Sequence, residues 1–366
     1  MPKNPFNLPK LPPKINYEPL IDHIIRAHRA IAGLDSLLGA LPNPNLLGRT
    51  MQTKEAVESS KIEGTQATIN EVLEYEARAE KKDDTIKKRD INEVINYRQA
   101  LDLGVKSLKT VPISENLVKK IHATLLKSGR GANKAPGEFR KVQVYIGKPG
   151  ADISEASYIP PTANEIIPLF SNLEKYLNSN EEKDTLVQIA ISHYQFEAIH
   201  PFLDGNGRVG RLIISLFLYE KKLLSHPFLY LSEFFEEHRQ DYYDLLRGVS
   251  EKQDWESWIK FFLNALTSQA KKAEETGKEI LKLHTTYQEK ISEIHSLYTA
   301  NLLDAIFVRP IFTTASLRKY TKIKNTQTFF NLVAKFVEAG ILKEATPEKR
   351  RNKMYVFTEL IKLLNK

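Results

Sequence analysis

The feature that most confines this chain is a pair of strongly apolar helical runs, Leu186 to Ala198 and Arg208 to Tyr219, joined by only nine residues. Apolar residues recur at the same helical spacing over Tyr17 to Leu38, Arg49 to Glu63, Ile69 to Tyr75, Ile91 to Leu101, Ser114 to Leu126, Asn164 to Leu177, Arg239 to Leu246 and Trp255 to Thr267. A mainly α fold follows. A charged patch from Glu80 to Asp90 reads as a solvated helix connection. The exception to the helical period is Phe139 to Ile146, which alternates with period two. Gly147, Pro149 and Gly150 then turn the chain before Ile153 to Pro161, which predicts a small exposed β-hairpin.

The character changes after a helix from Gln269 to Tyr298 that is charged on one face. Thr314 to Tyr320 and Thr326 to Ala339 read as two helices joined by a short turn. Ile341 to Glu344 and Lys353 to Thr358 read as strands around a basic tip, Glu348 to Lys353. Helix, turn, helix and basic hairpin make a winged-helix pattern. The expected division is an N-terminal helical region (1–108), a core (109–270), a linker helix (271–300) and a winged-helix domain (301–366). Residues 301–366 hold thirteen Lys and Arg against five Asp and Glu, and the residues before them hold forty of each, so the net charge of +8 is local. Such a basic module fits an acidic partner such as DNA.

Composition removes several classes of function. With no cysteine there are no disulfides, thiolate metal sites or cysteine nucleophiles. The first thirteen residues carry Pro2, Pro5, Pro9, Pro12 and Pro13 in place of a signal peptide's apolar stretch, and no run of about eighteen apolar residues suggests a membrane span. A cytoplasmic location is the expectation.

Between the two apolar helices lies His200-Pro-Phe-Leu-Asp204-Gly205-Asn206-Gly207-Arg208-Val209-Gly210-Arg211. Gly205 and Gly207 permit a tight turn that aims N–H groups at a ligand, and the helix that follows points its positive end at the same place. Arg208 and Arg211 share nearly one face of the first turn and can clamp phosphate oxygens. Asp204 suits one vertex of an octahedral Mg²⁺ whose other ligands are phosphates and waters. His200, with a reference pKa of about 6.5, can accept a hydroxyl proton at neutral pH.

This stretch resembles the Fic family, whose signature is His-Pro-Phe-x-(Asp/Glu)-Gly-Asn-Gly-Arg-x-x-Arg, with every specified position present. The resemblance implies a Fic-type helical core that transfers AMP from ATP to a protein hydroxyl. It implies His200 as catalytic base, Asp204 as metal ligand, and Gly205, Asn206, Gly207, Arg208, Val209, Gly210 and Arg211 around the nucleotide, with the Asn206 side chain on the α-phosphate and the two arginines on the outer phosphates. By the same resemblance Val142, Gln143, Val144, Tyr145 and Ile146 belong to a flap that docks the target segment. Tyr242 and Tyr243 resemble an aromatic pair near the base, of which at most one faces it, since adjacent helical residues point about 100° apart.

Ser59-Ser-Lys-Ile-Glu63-Gly64 resembles the family's inhibitory motif (Ser/Thr)-x-x-x-Glu-(Gly/Asn). Ser59 and Glu63 share a helical face, and Gly64 suits a helix C-terminus. By the resemblance Glu63 pairs with Arg211 and takes the outer-phosphate position. Ser60 and Glu63 also fit a capping box, which requires helix after Glu63, where Gly64 to Thr68 reads as a break. Two other functions stay open. One is the same fold transferring another phosphate-containing group. The other is a transcription regulator that touches DNA through Thr326, Gln327, Lys335, Lys349, Arg350, Arg351 and Lys353. ATP and a protein substrate are the expected partners; the chain itself as target and a homodimer remain open, and no membrane is expected.

Overall fold

The computed structural model describes residues 4–41, 43–78, 86–147, 152–348 and 353–365. Residues 79–85 of the charged patch, 148–151 of the hairpin turn and 349–352 of the wing tip, including Lys349, Arg350 and Arg351, lie outside them.

Two helices form the centre, α7 (Thr185–Ile199) and α8 (Asn206–Glu220). Asp184 starts α7 by accepting from Leu186 N (2.9 Å) and Val187 N (3.1 Å). From Leu186 to Ile199 every residue except Glu197 is buried, and α8 is buried from Val209 to Leu218. A helix that is apolar all round has to be enclosed. Around this pair lie α1 (Ile21–Ala40), α2 (Asn45–Ile62), α3 (Ile69–Ala77), α4 (Ile86–Ser107), α5 (Glu115–Leu125), α6 (Ile166–Leu177), α9 (Ser232–Glu237) and α10 (Arg239–Lys252). The longest element, α11 (Trp255–Ile291), packs along α1 and α7, and runs unbroken through residue 270. Among the described residues no helix is long and apolar enough to cross a membrane.

The C-terminal module contains α12 (Thr299–Val308), β1 (Ile311–Thr313), α13 (Thr314–Arg318), α14 (Thr326–Glu338), β2 (Lys343–Glu344), β3 (Met354–Val356) and α15 (Thr358–Leu364). Its antiparallel sheet has the order β1-β3-β2, with Ile311 opposite Val356 and Glu344 opposite Tyr355. The short β1 had no counterpart in the sequence reading. The module is joined to the body: α12 and α15 pack on α2, and β1 packs on α3, where Thr313 Oγ1 donates to Ala77 O (3.1 Å).

At the expected hairpin the ladder among the described residues is one bridge, Ile146 opposite Tyr158. The reason lies in the returning arm: Pro160 and Pro161 have no N–H to continue it. Side chains replace the missing rungs, with Gln143 Nε2 donating to Pro160 O (2.9 Å).

Candidate active site

His200 ends α7 in the left-handed region (φ 49°), a conformation costly for a residue with a Cβ, and several bonds impose it. Its N–H donates to Phe196 O (3.1 Å), and its carbonyl accepts from Arg140 Nε (2.9 Å). Arg140, buried, also donates to Val142 O (3.0 Å) and Pro161 O (2.5 Å), while its backbone N–H reaches Pro201 O (2.8 Å). One guanidinium therefore ties the histidine loop to both arms of the flap. Burial pushes the His200 imidazole down to about 4, so it is neutral, and able to take a proton, at physiological pH.

Gly205 (φ 80°) caps α8, and the N–H groups of that helix's first turn face the loop's mouth without helical partners. Three residues of the expected nucleotide loop are engaged within the protein. The Asn206 amide is bonded into the loop, accepting from Phe202 N (2.8 Å) and donating to Phe202 O (2.9 Å). Val209 faces the core and is fully buried. Arg208, 3 % exposed, is held by Asp204 Oδ1 (3.2 Å) and Glu93 Oε2 (3.4 Å), which fixes the loop's base. Asp204 is partly open. His122 supports it from behind: Gly137 N–H donates to Nδ1 (2.8 Å), which leaves Nε2–H to donate to the Asp204 carbonyl (2.9 Å). No group of three or more His, Cys, Asp or Glu side chains converges as a metal site among the described residues. Asp204 alone suits an ion that takes its remaining ligands from phosphates and water.

Arg211 is occupied. Its Nε donates to Ser59 Oγ (2.8 Å), and Nη2 donates to Ser59 O (2.9 Å) and Glu63 Oε1 (2.8 Å). The sequence places Glu63 there through a helix stop. Gly64 (φ 87°) follows the cap, Gly64 N–H donates to Lys61 O (2.8 Å), and Thr65 N–H donates to Ser60 O (3.1 Å), which is a Schellman closure. The capping box lies further on, at Thr68 and Glu71, so α2 ends at the motif and α3 starts after it. Removal from water would raise the Glu63 carboxyl, but Arg211 outweighs that and holds it below the usual carboxylate value. Gly207 leaves room for the pair, since a Cβ there would fall 2.5 Å from Glu63 Oε1.

Sequence reasoning missed what anchors α2. Glu55 Oε1 accepts from Tyr97 OH (2.9 Å) and Ser232 Oγ (2.5 Å), and Arg239 Nη2 closes on Ile62 O (2.6 Å). Glu55, Ser59 and Glu63 recur every four residues, a signal that was available. Arg239 and Arg140 carry no such pattern.

Part of this arrangement opens on a cavity of about 740 Å³. Glu63, Gly207, Arg211, Tyr243 and His200 line it together with Tyr158, Tyr194, Leu246 and Ser250, and Ile146 of the flap also belongs to the lining. Tyr243 is exposed toward it, whereas Tyr242 packs inward, 2 % exposed, with its hydroxyl 2.9 Å from His193 Nε2. Val142 and Tyr145 stand in solvent at 58 % and 44 % exposure.

The sequence model described as "Fic/DOC family N-terminal" matches residues 21–106, and that of the "Fic/DOC family" matches residues 112–218. The protein adenylyltransferase Fic of Culex quinquefasciatus is 32 % identical over 127 residues, which are 34 % of this chain and 22 % of that relative. The protein of the same name from Drosophila melanogaster is 32 % identical over 131 residues, 35 % and 24 % of the two chains. The matched stretch thus spans less than a quarter of these relatives. Among solved structures, a Fic family protein from Desulfovibrio desulfuricans G20 aligns over 94 % of this chain and 98 % of its own, with TM-score 0.59 and 22 % identity. A Fic domain containing signaling protein from Bacteroides thetaiotaomicron aligns over 70 % and 97 %, with TM-score 0.57 and 17 % identity. Since the two sequence models together cover more than half of the chain, and include the whole histidine and phosphate loop, this chain belongs to the Fic/DOC family.

Proposed function

We propose that this protein is a self-inhibited adenylyltransferase that moves AMP from ATP to a Ser, Thr or Tyr hydroxyl of a protein. The observation that carries the reading is the cavity in which a neutral His200 and the start of α8 share a wall with Arg211, itself occupied by Ser59 and Glu63. The protein adenylyltransferase relatives support the same chemistry. His200 takes the proton of the target hydroxyl, the freed oxygen attacks the α-phosphorus, and the bond to the β-phosphate breaks to release pyrophosphate. The first turn of α8 stabilises charge that builds on the phosphoryl oxygens. Asp204 would hold a Mg²⁺ ion, which offsets triphosphate charge. Glu63 occupies the cation meant for the terminal phosphates, and a misplacement of the nucleotide by about 1 Å costs on the order of a hundredfold in rate.

The test follows transfer from α-labelled ATP by wild type, Glu63→Gly, Arg211→Ala and the double variant. Glu63→Gly is expected to exceed wild type by about a hundredfold, and the double variant to be no better than Arg211→Ala. A Glu63→Gly protein that is no more active overturns the brake. Label that arrives only from the γ position assigns a kinase-like transfer instead.

A second role is favoured by one observation. The outer face of α14 exposes Thr326, Gln327, Asn331 and Lys335, and Lys319, Lys322 and Lys324 stand exposed before it. We assign this face of a winged-helix module to duplex DNA, with polar side chains toward base edges and lysines toward phosphates. Full-length protein should shift a DNA duplex with an affinity that falls steeply with salt; salt-independent or absent binding overturns it.

A further inference from the structure

One acidic side chain in the cavity has no part in the scheme above. Glu197 is the single residue between Leu186 and Ile199 of α7 that is not buried, and it lines the cavity. Tyr194, Glu197 and His200 follow at intervals of three residues, so each lies about 4.5 Å further along the helix axis than the last. All three line the same space. Tyr194 marks the aromatic end, where its hydroxyl meets Ser250 Oγ at 2.9 Å. His200 marks the phosphate end.

One oxygen of the carboxyl, the one that faces Gly210, has no protein partner among the described residues. This Oε1 is buried, and neighbouring Arg211 is taken by Ser59 and Glu63. The fold nevertheless makes room for it. A Cβ on Gly210 would fall 2.2 Å from Glu197 Oε1, so any side chain at 210 would displace the acid. Burial pushes the carboxyl up to about 8, against the pull of Arg211, which leaves it largely protonated at neutral pH and able both to accept and to donate. A buried polar group that meets its partner only in the complex discriminates strongly against ligands lacking that partner.

A nucleoside triphosphate with its phosphates toward Arg211 and its base among the tyrosines has only its sugar in between, and the sugar's polar groups there are hydroxyls. We propose that Glu197 is a specificity-determining residue that bonds the ribose hydroxyls and makes the site selective for ribonucleoside over 2′-deoxyribonucleoside triphosphates. This rests on the site being a nucleotide site; a role in the proton transfer itself is not implied.

The experiment uses full-length Glu63→Gly protein. The kcat/KM for transfer from ATP and from 2′-deoxy-ATP is measured, together with the Kd of each nucleotide by calorimetry. ATP is expected to be preferred by about tenfold to a hundredfold, the range of one hydrogen bond to a carboxyl. Adding Glu197→Leu should bring the ratio close to one, by lowering the ATP value and leaving the deoxy value in place; Glu197→Gln, which keeps an acceptor, should retain most of the preference. Equal loss for both nucleotides would assign Glu197 to holding Arg211 in position and overturn the proposal, as would no preference in Glu63→Gly itself. If neither nucleotide yields label but both bind, the transfer reading fails and the Kd ratio still decides the sugar contact. If the leucine variant does not fold, as read from its melting curve, the preference of Glu63→Gly and its persistence in Glu197→Gln decide.

Discussion

The phosphate loop and the flap face each other across one cavity and are built in opposite ways. In the loop nearly every polar side chain is committed: Asn206 to the Phe202 backbone, Arg208 to Asp204 and Glu93, Arg211 to α2. In the flap one bridge among the described residues, Ile146 to Tyr158, closes the arms, and the Val142 side chain is exposed. A site that has to place a phosphorus accurately gains from groups fixed in advance. A surface that has to accept a protein backbone gains from unpaired edge groups, which an extended segment can join as an added strand. The two regions are held to each other by Arg140 alone among the described guanidinium groups, bonded to His200 O on one side and Val142 O on the other.

Breaking the rigid side should cost most. In a Glu63→Gly background, His200→Ala is expected to lower transfer from α-labelled ATP by about a thousandfold, within the range of general-base effects. ATP affinity by calorimetry should stay within about threefold, because in the proposed scheme the imidazole acts on the hydroxyl. Comparable loss of binding would assign His200 to the loop's structure instead.

The rigid side also contains a buried acid whose state depends on pH. Burial pushes Glu55 up to about 7 from an ordinary 4.5, although Ser232, Tyr97 and Arg211 pull the other way. A carboxyl raised in the folded state favours folding fully below its unfolded value, and that contribution is lost as pH rises from about 4.5 through 7. Across that window the loss is on the order of 3 kcal/mol. Glu55→Gln keeps an acceptor for Tyr97 and Ser232 without the charge. Its melting temperature should therefore gain on wild type as pH goes from 5 to 8, and a difference that does not change with pH refutes the assignment.

The smallest effect is expected on the open side. Val144→Pro removes one N–H from an exposed edge, so transfer to a protein target should fall by about tenfold while ATP binding and the melting temperature hold. Unchanged transfer would mean that the target does not dock along this edge.

The sequence made the loop legible because its chemistry is local: twelve consecutive residues carry base, carboxylate, glycines and arginines, and a Gly after Glu63 signals a helix end. It was less informative wherever the deciding partner is distant in the chain. Arg208 reads as a phosphate clamp by spacing, yet Glu93, on α4, takes its guanidinium. The alternation at Phe139 to Ile146 reads as a strand, yet Pro160 and Pro161 on the returning arm limit the ladder among the described residues to one bridge. Glu197 gave no signal at all, since an acid in an apolar helix is distinguished only by the glycine that faces it across the hairpin.

Glu63 has one more consequence, as a ligand that never leaves. A group attached to the same chain competes at an effective concentration on the order of millimolar even on a flexible tether, and higher when geometry matches the span. Here the tether is a helix end set by a Schellman closure and by Arg239 on Ile62 O. If Glu63 is the brake proposed above, supply of nucleotide is a weak lever on this protein. On that reading the output of the chain follows the position of α2 more than the abundance of its own substrate.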